Sequence, residues 1–501
     1  MGLHAQQRED EVANRPLRLS DCSPKTWRVD EQRVRQSLKL FTILVAIPFL
    51  GILGRSSWLA FTRPELLPLA STYAARIVCS NVFIAKRDVE TIRRDDLVAL
   101  GHPIFNFMQI DVNNIDQRVT VSLFGVFAQR EAQYVAGRGC VNVYKGKVID
   151  HPLSPASPPT KPDALWPDGE KAQLSDDPRL RAALTNPALL GPGFRALVIV
   201  HDGRIVGETY GPGFDASTPL HGWSMTKTVS AVLVGMAIGD GELSLDQKNL
   251  FPQWAGGARS QISVADLMAM SGGLKWNEDE GTVTDPGRME FLTSDAAAFA
   301  RDRALVAPPG TKFNYSSGES VLLTRLWMNA VGDAARSYPQ ERLFQPLGMT
   351  SAVLEADPSG TFLGEGFLYA NAHDWARFGE FLRLGGTWNG QQLLPSGFVD
   401  YMASPSPVSD EGHGPVYGRG QVWLAKGQQF GLPDDTFMLQ GHLRQVIAVI
   451  PSRKLVILRM GMTREDIGYS YAKLLRAIVA ADFEPCRESP NGRDSFRDGC
   501  N

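Results

Sequence analysis

Leu40–Gly54 reads LFTILVAIPFLGILG, fifteen residues without a charge. A run of this kind near one end of a chain crosses a bilayer or is cleaved off as a signal. Spanning takes about 20 apolar residues. The run reaches that length if Lys39 and Arg55 snorkel and Trp58, Leu59, Ala60 and Phe61 extend it. The polar leader Met1–Lys39 is long, and no small-x-small cleavage site follows, so an uncleaved anchor is preferred to a cleaved signal. Lys25, Arg28, Arg33, Arg35 and Lys39 precede the run, against Arg55 and Arg63 after it. That bias keeps the N-terminus in the cytoplasm and sends the rest outside, as in a single-pass protein of a bacterial inner membrane facing the periplasm.

This orientation decides how the cysteines are read. Cys22 stays in a reducing compartment, while Cys79, Cys140, Cys486 and Cys500 face an oxidising one. Four cysteines leave three pairings open. Cys79 and Cys140 bracket one small segment, and a bond between them is the expectation. No C-x-x-C or histidine pair suggests a metal. With Lys+Arg 51 against Asp+Glu 54, the net charge of -3 excludes a strongly basic nucleic-acid binder.

The chain divides into a leader (1–39), an anchor or signal (40–61), a small outer segment (62–150), a Pro/Ser-rich linker (151–173), a main domain (174–484) and a polar tail (485–501). In the outer segment Arg118–Phe127 alternates like a strand, and Glu131–Tyr144 can pair with it. The linker rests on HPLSPASPPTKPDALWP, His151–Pro167. The main domain opens with Phe194–Tyr210, two apolar runs around Asp202-Gly203, a hairpin signal. Ser224–Ile238, Ile262–Met270, Glu319–Val331 and Asn371–Leu384 have helical spacing. Val446–Ile450 and Leu455–Met460 predict a second hairpin, and Tyr469–Ala481 a last helix. Strands at both ends with helices between predict an α+β domain whose sheet joins the two ends.

Ser224-Met225-Thr226-Lys227 is an S-x-x-K at the start of an apolar helix. Residues three apart share a helix face, so Lys227 can reach the Ser224 hydroxyl. A serine needs such a partner to become a nucleophile. An amine serves as a base only when neutral, which requires burial or nearby positive charge. Ser470–Lys473 also fits the pattern, inside the terminal helix and without supporting residues. Two further segments accompany Ser224. Pro308-Pro309-Gly310 turns the chain toward Tyr315-Ser316-Ser317, where a phenol beside a cation can act as a base. Gly441–Gln445, GHLRQ, enters the last hairpin, where a strand edge can lend an oxyanion-hole N–H.

In this order the three segments resemble the serine β-lactamase and penicillin-binding-protein superfamily. The resemblance is to its class C-like branch, with the 6-aminohexanoate-dimer hydrolases and related esterases. It covers Phe194 to about Ala481. It implies the β-lactamase-like fold, an α+β domain with an all-helical subdomain, and acyl transfer to water with no metal or organic cofactor. Ser224 would be acylated, and Lys227 and Tyr315 would share the acid and base work. The N–H groups of Ser224 and Gln445 would form the oxyanion hole. His442 and Arg444 occupy the places of the lysine and glycine of a K-T-G box, and Ser317 that of a common asparagine. Trp276, Asn277, Asp279 and Glu280 fall in the substrate-loop region. The substrate implied is an ester or amide. A D,D-peptidase or β-lactamase, and a silent ligand-binding relative, are the alternatives. No G-x-S-x-G elbow or H-E-x-x-H motif is present, and His373 and His221 are read mainly as packing residues.

Overall fold

The computed structural model describes residues 64–144, 146, 161, 163–408, 416–425 and 430–481, with 35–36, 39–42 and 44. The chain forms two units, Met1–Pro64 and Glu65–Asn501. In the first, 39–42 and Leu44 are helical, and Leu40, Phe41 and Leu44 are exposed. The rest of the apolar run, Cys22, Cys486, Cys500 and most of the Pro/Ser-rich stretch lie outside the described residues.

The second unit begins with α1, Leu66–Phe83, a helix the alternation analysis does not anticipate. It is long and apolar enough to cross a membrane, yet 67% of it is buried inside the fold. Its small and apolar residues are buried nearly all round, which is the pattern of a core helix and carries no amphipathic stripe. It packs on a four-stranded antiparallel meander, β1 (Met108–Asn113), β2 (Arg118–Leu123), β3 (Phe127–Val135) and β4 (Gly139–Asn142). The Cys79 and Cys140 sulfurs are bonded, with Cα atoms 6.0 Å apart, and join α1 to β4.

The proline-rich stretch ends sooner than its composition suggests. Trp166 is fully buried, with its indole N–H directed at the His373 carbonyl, 3.4 Å. Glu170 pairs with His373 and Arg377. A tryptophan buries more apolar area than most side chains, enough to hold the residues around it against the core. Residues 163–173 therefore belong to the main domain.

That domain is built on a seven-stranded antiparallel sheet. Strands β5 (Phe194–His201) and β6 (Arg204–Tyr210) are followed by helices α2 (Met225–Gly239), α3 (Ser317–Val331) and α4 (Ala372–Arg383). The remaining strands are β7 (Val416–Tyr417), β8 (Trp423–Leu424), β9 (Phe437–Gly441), β10 (Gln445–Ile450) and β11 (Leu455–Gly461). The order is β7-β8-β9-β10-β11-β5-β6, so β11 pairs with β5 and the two chain ends meet in one sheet. Asp202 and Gly203 both have positive φ, as a two-residue type I′ turn requires. Helix α4 covers one face of the sheet. Helix α5 (Ala472–Val479) and Pro178–Thr185 cover the other.

Candidate active site

Helix α2 is almost wholly buried, its polar Thr226, Lys227, Thr228 and Ser230 included, so it is fixed in the core. Ser224 caps it, and Lys227 lies in its first turn. Before Ser224, Trp223 has φ +50, a left-handed conformation that costs a non-glycine residue on the order of 1–3 kcal/mol. The turn brings Ser224 to the wall of a cleft of about 830 Å³.

The Lys227 ammonium donates to Ser224 Oγ at 2.9 Å, to Ser317 Oγ at 3.1 Å and to the Glu365 carbonyl at 2.9 Å. Burial presses its pKa down, but Tyr315, Glu278, Glu365 and Glu290 outweigh burial and hold it above the ordinary lysine value. This reverses the sequence expectation of a lowered pKa, because the neighbours are acids.

Tyr315 stands on the opposite side, its ring centroid 5.1 Å from Lys227 Nζ. It stacks on Trp423 at 5.5 Å and meets Tyr417 edge-on at 5.8 Å. Burial raises its pKa, while Lys227 and hydrogen bonds with Ser224 and Lys227 pull the other way, and the net direction is up.

Ser317 opens α3. Its hydroxyl donates to Glu278 Oε1 at 2.5 Å, and its N–H to Glu278 Oε2 at 2.9 Å. The Trp276 indole N–H also donates to Glu278 Oε2, at 2.5 Å. Sequence analysis picks out the residues on both sides of Glu278 and passes over the one that holds Ser317. It also misses Glu290 and Glu365, both in the cleft lining. Burial lifts the Glu365 carboxyl to about 8, and neither of its oxygens has a hydrogen-bond partner from another residue. Burial and Glu365 raise Glu290 as well. Only the approach of distant segments reveals this group, although Glu365 lies between two glycines in a loop.

The box entering the last hairpin differs from expectation. Gln440, Gly441 and His442 line the cleft, whereas Gln445 and Arg444 do not. Gln445 closes the hairpin opposite Gly441. Its side-chain amide donates to the His221 carbonyl at 2.9 Å and to the His442 carbonyl at 3.4 Å. Leu443 and Arg444 have φ of +63 and +66, so the chain reverses at the positions read as strand. The Arg444 charge lowers the Tyr471 phenol pKa against the burial that raises it, and Arg444 does not line the cleft. The expected oxyanion position at Gln445 thus lies outside the cleft lining, which Gln440, Gly441 and His442 reach instead. A Cβ on Gly441 would lie 2.5 Å from the Gly222 carbonyl, so this strand end needs glycine to approach the Ser224 turn.

His221 is outside the cleft. Its ring Nε2–H donates to the Gly366 carbonyl at 2.7 Å, and the ring stacks on Tyr369 at 4.6 Å. Burial pushes its pKa down to about 3, so it is neutral. His373 lies between Glu170 and Glu208, also away from Ser224.

The beta-lactamase family profile matches residues 192–472, more than half of the chain. The chain belongs to the beta-lactamase family. Among solved structures, this beta-lactamase-family chain is similar to a candidate 6-aminohexanoate-dimer hydrolase from Bacillus anthracis. The TM-score is 0.51 at 21% identity, over 57% of this chain and 79% of that one, a likeness of fold. It is also similar to a penicillin-binding-protein homologue from Caulobacter crescentus, with a TM-score of 0.49 and 16% identity, over 60% of this chain and 96% of that one. No curated protein sequence matches the chain. The α+β fold expected from the motifs is the fold of this family.

Proposed function

We propose that this beta-lactamase-family protein is a serine hydrolase that cleaves an ester or short amide through an acyl group on Ser224. The supporting observation is Lys227 Nζ hydrogen-bonded at once to Ser224 Oγ and Ser317 Oγ on the cleft wall.

The charged Lys227 holds the Ser224 hydroxyl and lowers the cost of a Tyr315 phenolate. Ser224 Oγ attacks the substrate carbonyl as its proton passes to the Tyr315 oxygen. The N–H groups of Ser224 and of the Gly441–His442 segment receive the charge on the carbonyl oxygen. Tyr315 returns the proton to the leaving alcohol or amine, and the acyl–Ser224 ester forms. Water repeats the attack with Tyr315 as base, releasing the acid and restoring Ser224.

The lining argues about the substrate. Glu278, Asp279, Glu280 and Glu465 border the cleft. The carboxylate of a penicillin, or of a peptide ending in one, would meet like charges there. Such repulsion is worth about 1 kcal/mol at 4 Å in water and more in a cleft. Leu443 offers no hydroxyl, and Arg444 does not line the cleft. Comparing kcat/KM for a p-nitrophenyl ester, a 6-aminohexanoate dimer and a chromogenic cephalosporin on one preparation tests this reading. The cephalosporin is expected to be the poorest. A cephalosporin better than both by about tenfold would establish a β-lactamase or D,D-peptidase instead.

The hydrolase unit is proposed to face outward from a single N-terminal anchor. The exposed Leu40, Phe41 and Leu44 and the Cys79–Cys140 bond support that topology. A reporter that matures only outside the cytoplasm, fused after Asn501, should be active.

A further inference from the structure

A second depression, of about 530 Å³, adjoins the catalytic cleft. The two share Trp223, His442 and Glu465 in their walls. Leu66, Leu69 and Tyr73 of α1, with Leu100, Ile104 and Phe105, supply its apolar side. All six precede residue 192, where the beta-lactamase profile begins. This wall lies outside the stretch that the beta-lactamase profile matches.

The wall is anchored at the nucleophile. Tyr73 lies nearly parallel to Trp223 with ring centroids 6.4 Å apart, and Trp223 is bonded to Ser224. Tyr73 also meets Phe291 of the cleft wall edge-on at 5.3 Å. Trp223 thus has the carboxylate-lined cleft on one side and the apolar depression on the other. Leu66, Leu69, Leu100 and Ile104 are only part-buried, so apolar surface is left uncovered beside the reacting serine. Charged groups are confined to Arg464, Glu465 and Asp466 on one edge. The volume is in the range of ligand pockets, roughly 300–1,000 Å³.

We infer that this depression receives an aliphatic chain of the substrate, next to the scissile bond held at Ser224. The inference rests on the hydrolase reading above. The acidic cleft repels an anionic end, and the depression is where apolar substrate surface can be taken from water. Burying one methylene is worth about 0.8 kcal/mol, a gain of about fourfold in kcat/KM for each methylene held.

The test uses p-nitrophenyl acetate, butyrate and octanoate, and a parallel series of acetate esters of ethanol, butanol and octanol. The two series distinguish an acyl chain from an alcohol chain. In one of them kcat/KM should rise at least about tenfold from the shortest to the longest member. Leu69→Trp should move the preference to shorter chains and Leu69→Ala to longer ones. Ile104→Trp serves in the same way if a Leu69 variant does not fold. A role in folding alone would change all chain lengths alike, and that result, or a flat wild-type series, would overturn the inference. Calorimetry with 1-octanol separates the two readings. If no ester is cleaved but octanol binds wild type and not Leu69→Trp, the pocket stands and the hydrolase reading falls. If esters are cleaved without regard to chain length and octanol does not bind, the pocket falls alone.

Discussion

Arg76 Nε donates to Glu355 Oε2 at 3.1 Å, with both side chains fully buried and 279 positions apart in sequence. The same carboxylate accepts from Ser80 Oγ and from the Cys140 N–H, each at 2.7 Å. Burial raises the Glu355 pKa, and Arg76 opposes it. Helix α1 and the meander are therefore tied to the beta-lactamase-family domain by the buried Glu355 carboxylate, which accepts from both. Removing a single partner from a buried pair typically costs about 3–5 kcal/mol, because the other charge is left uncompensated. Arg76→Met should lower the urea midpoint by a corresponding amount. An unchanged midpoint would mean that the segment contributes nothing to the stability of the domain.

A second buried network should make stability depend on pH. His373 Nδ1 is 2.8 Å from Glu170 and Nε2 is 2.7 Å from Glu208, so both ring nitrogens face carboxylates. Burial presses the His373 pKa down, but the two carboxylates win and lift it to about 9. A raised folded-state pKa gives stability that is whole below the unfolded value, near 6.5, and is lost as pH rises through the folded one. Thermal unfolding should shift downward between about pH 6.5 and 9. His373→Gln should flatten that part of the profile. Equal slopes in both proteins would contradict the assignment.

Glu278 should control the pH dependence of turnover. Its charge raises both Lys227 and Tyr315. If Tyr315 must lose its proton to act, kcat/KM for an ester should climb with pH above 7. Glu278→Gln should then move the rising limb to lower pH, since the charge that disfavours the phenolate is gone. A limb that stays in place or moves to higher pH would separate Glu278 from the base.

Much of this architecture is legible in the sequence where local signals and global packing agree. Asp202-Gly203 specifies its turn by itself, and the helical spacing of Val229, Leu233, Met236 and Ala237 specifies a buried helix. Helix α1 is not legible, because buried Thr72, Arg76 and Ser80 interrupt the apolar pattern, and Arg76 and Ser80 find their partners at Glu355 and Ala356, far away in sequence. The Ser224, Lys227 and Tyr315 positions can be read because their spacing is short or set in a motif. Glu278, Glu290 and Glu365 cannot, since only the folded chain brings them to Lys227. The GHLRQ segment misleads for a related reason. Two non-glycine residues adopt positive φ there, which propensity alone would not suggest.

The central claim is that Ser224 is the nucleophile, and a fluorophosphonate probe tests it most directly. Intact protein should gain one adduct, and peptide mapping should locate it on Ser224. Ser224→Ala should abolish labelling and ester turnover together, while Lys227→Ala should cost about 10²–10⁴ in rate. Labelling at Ser470, or no labelling of a folded protein that still turns over ester, would contradict the account.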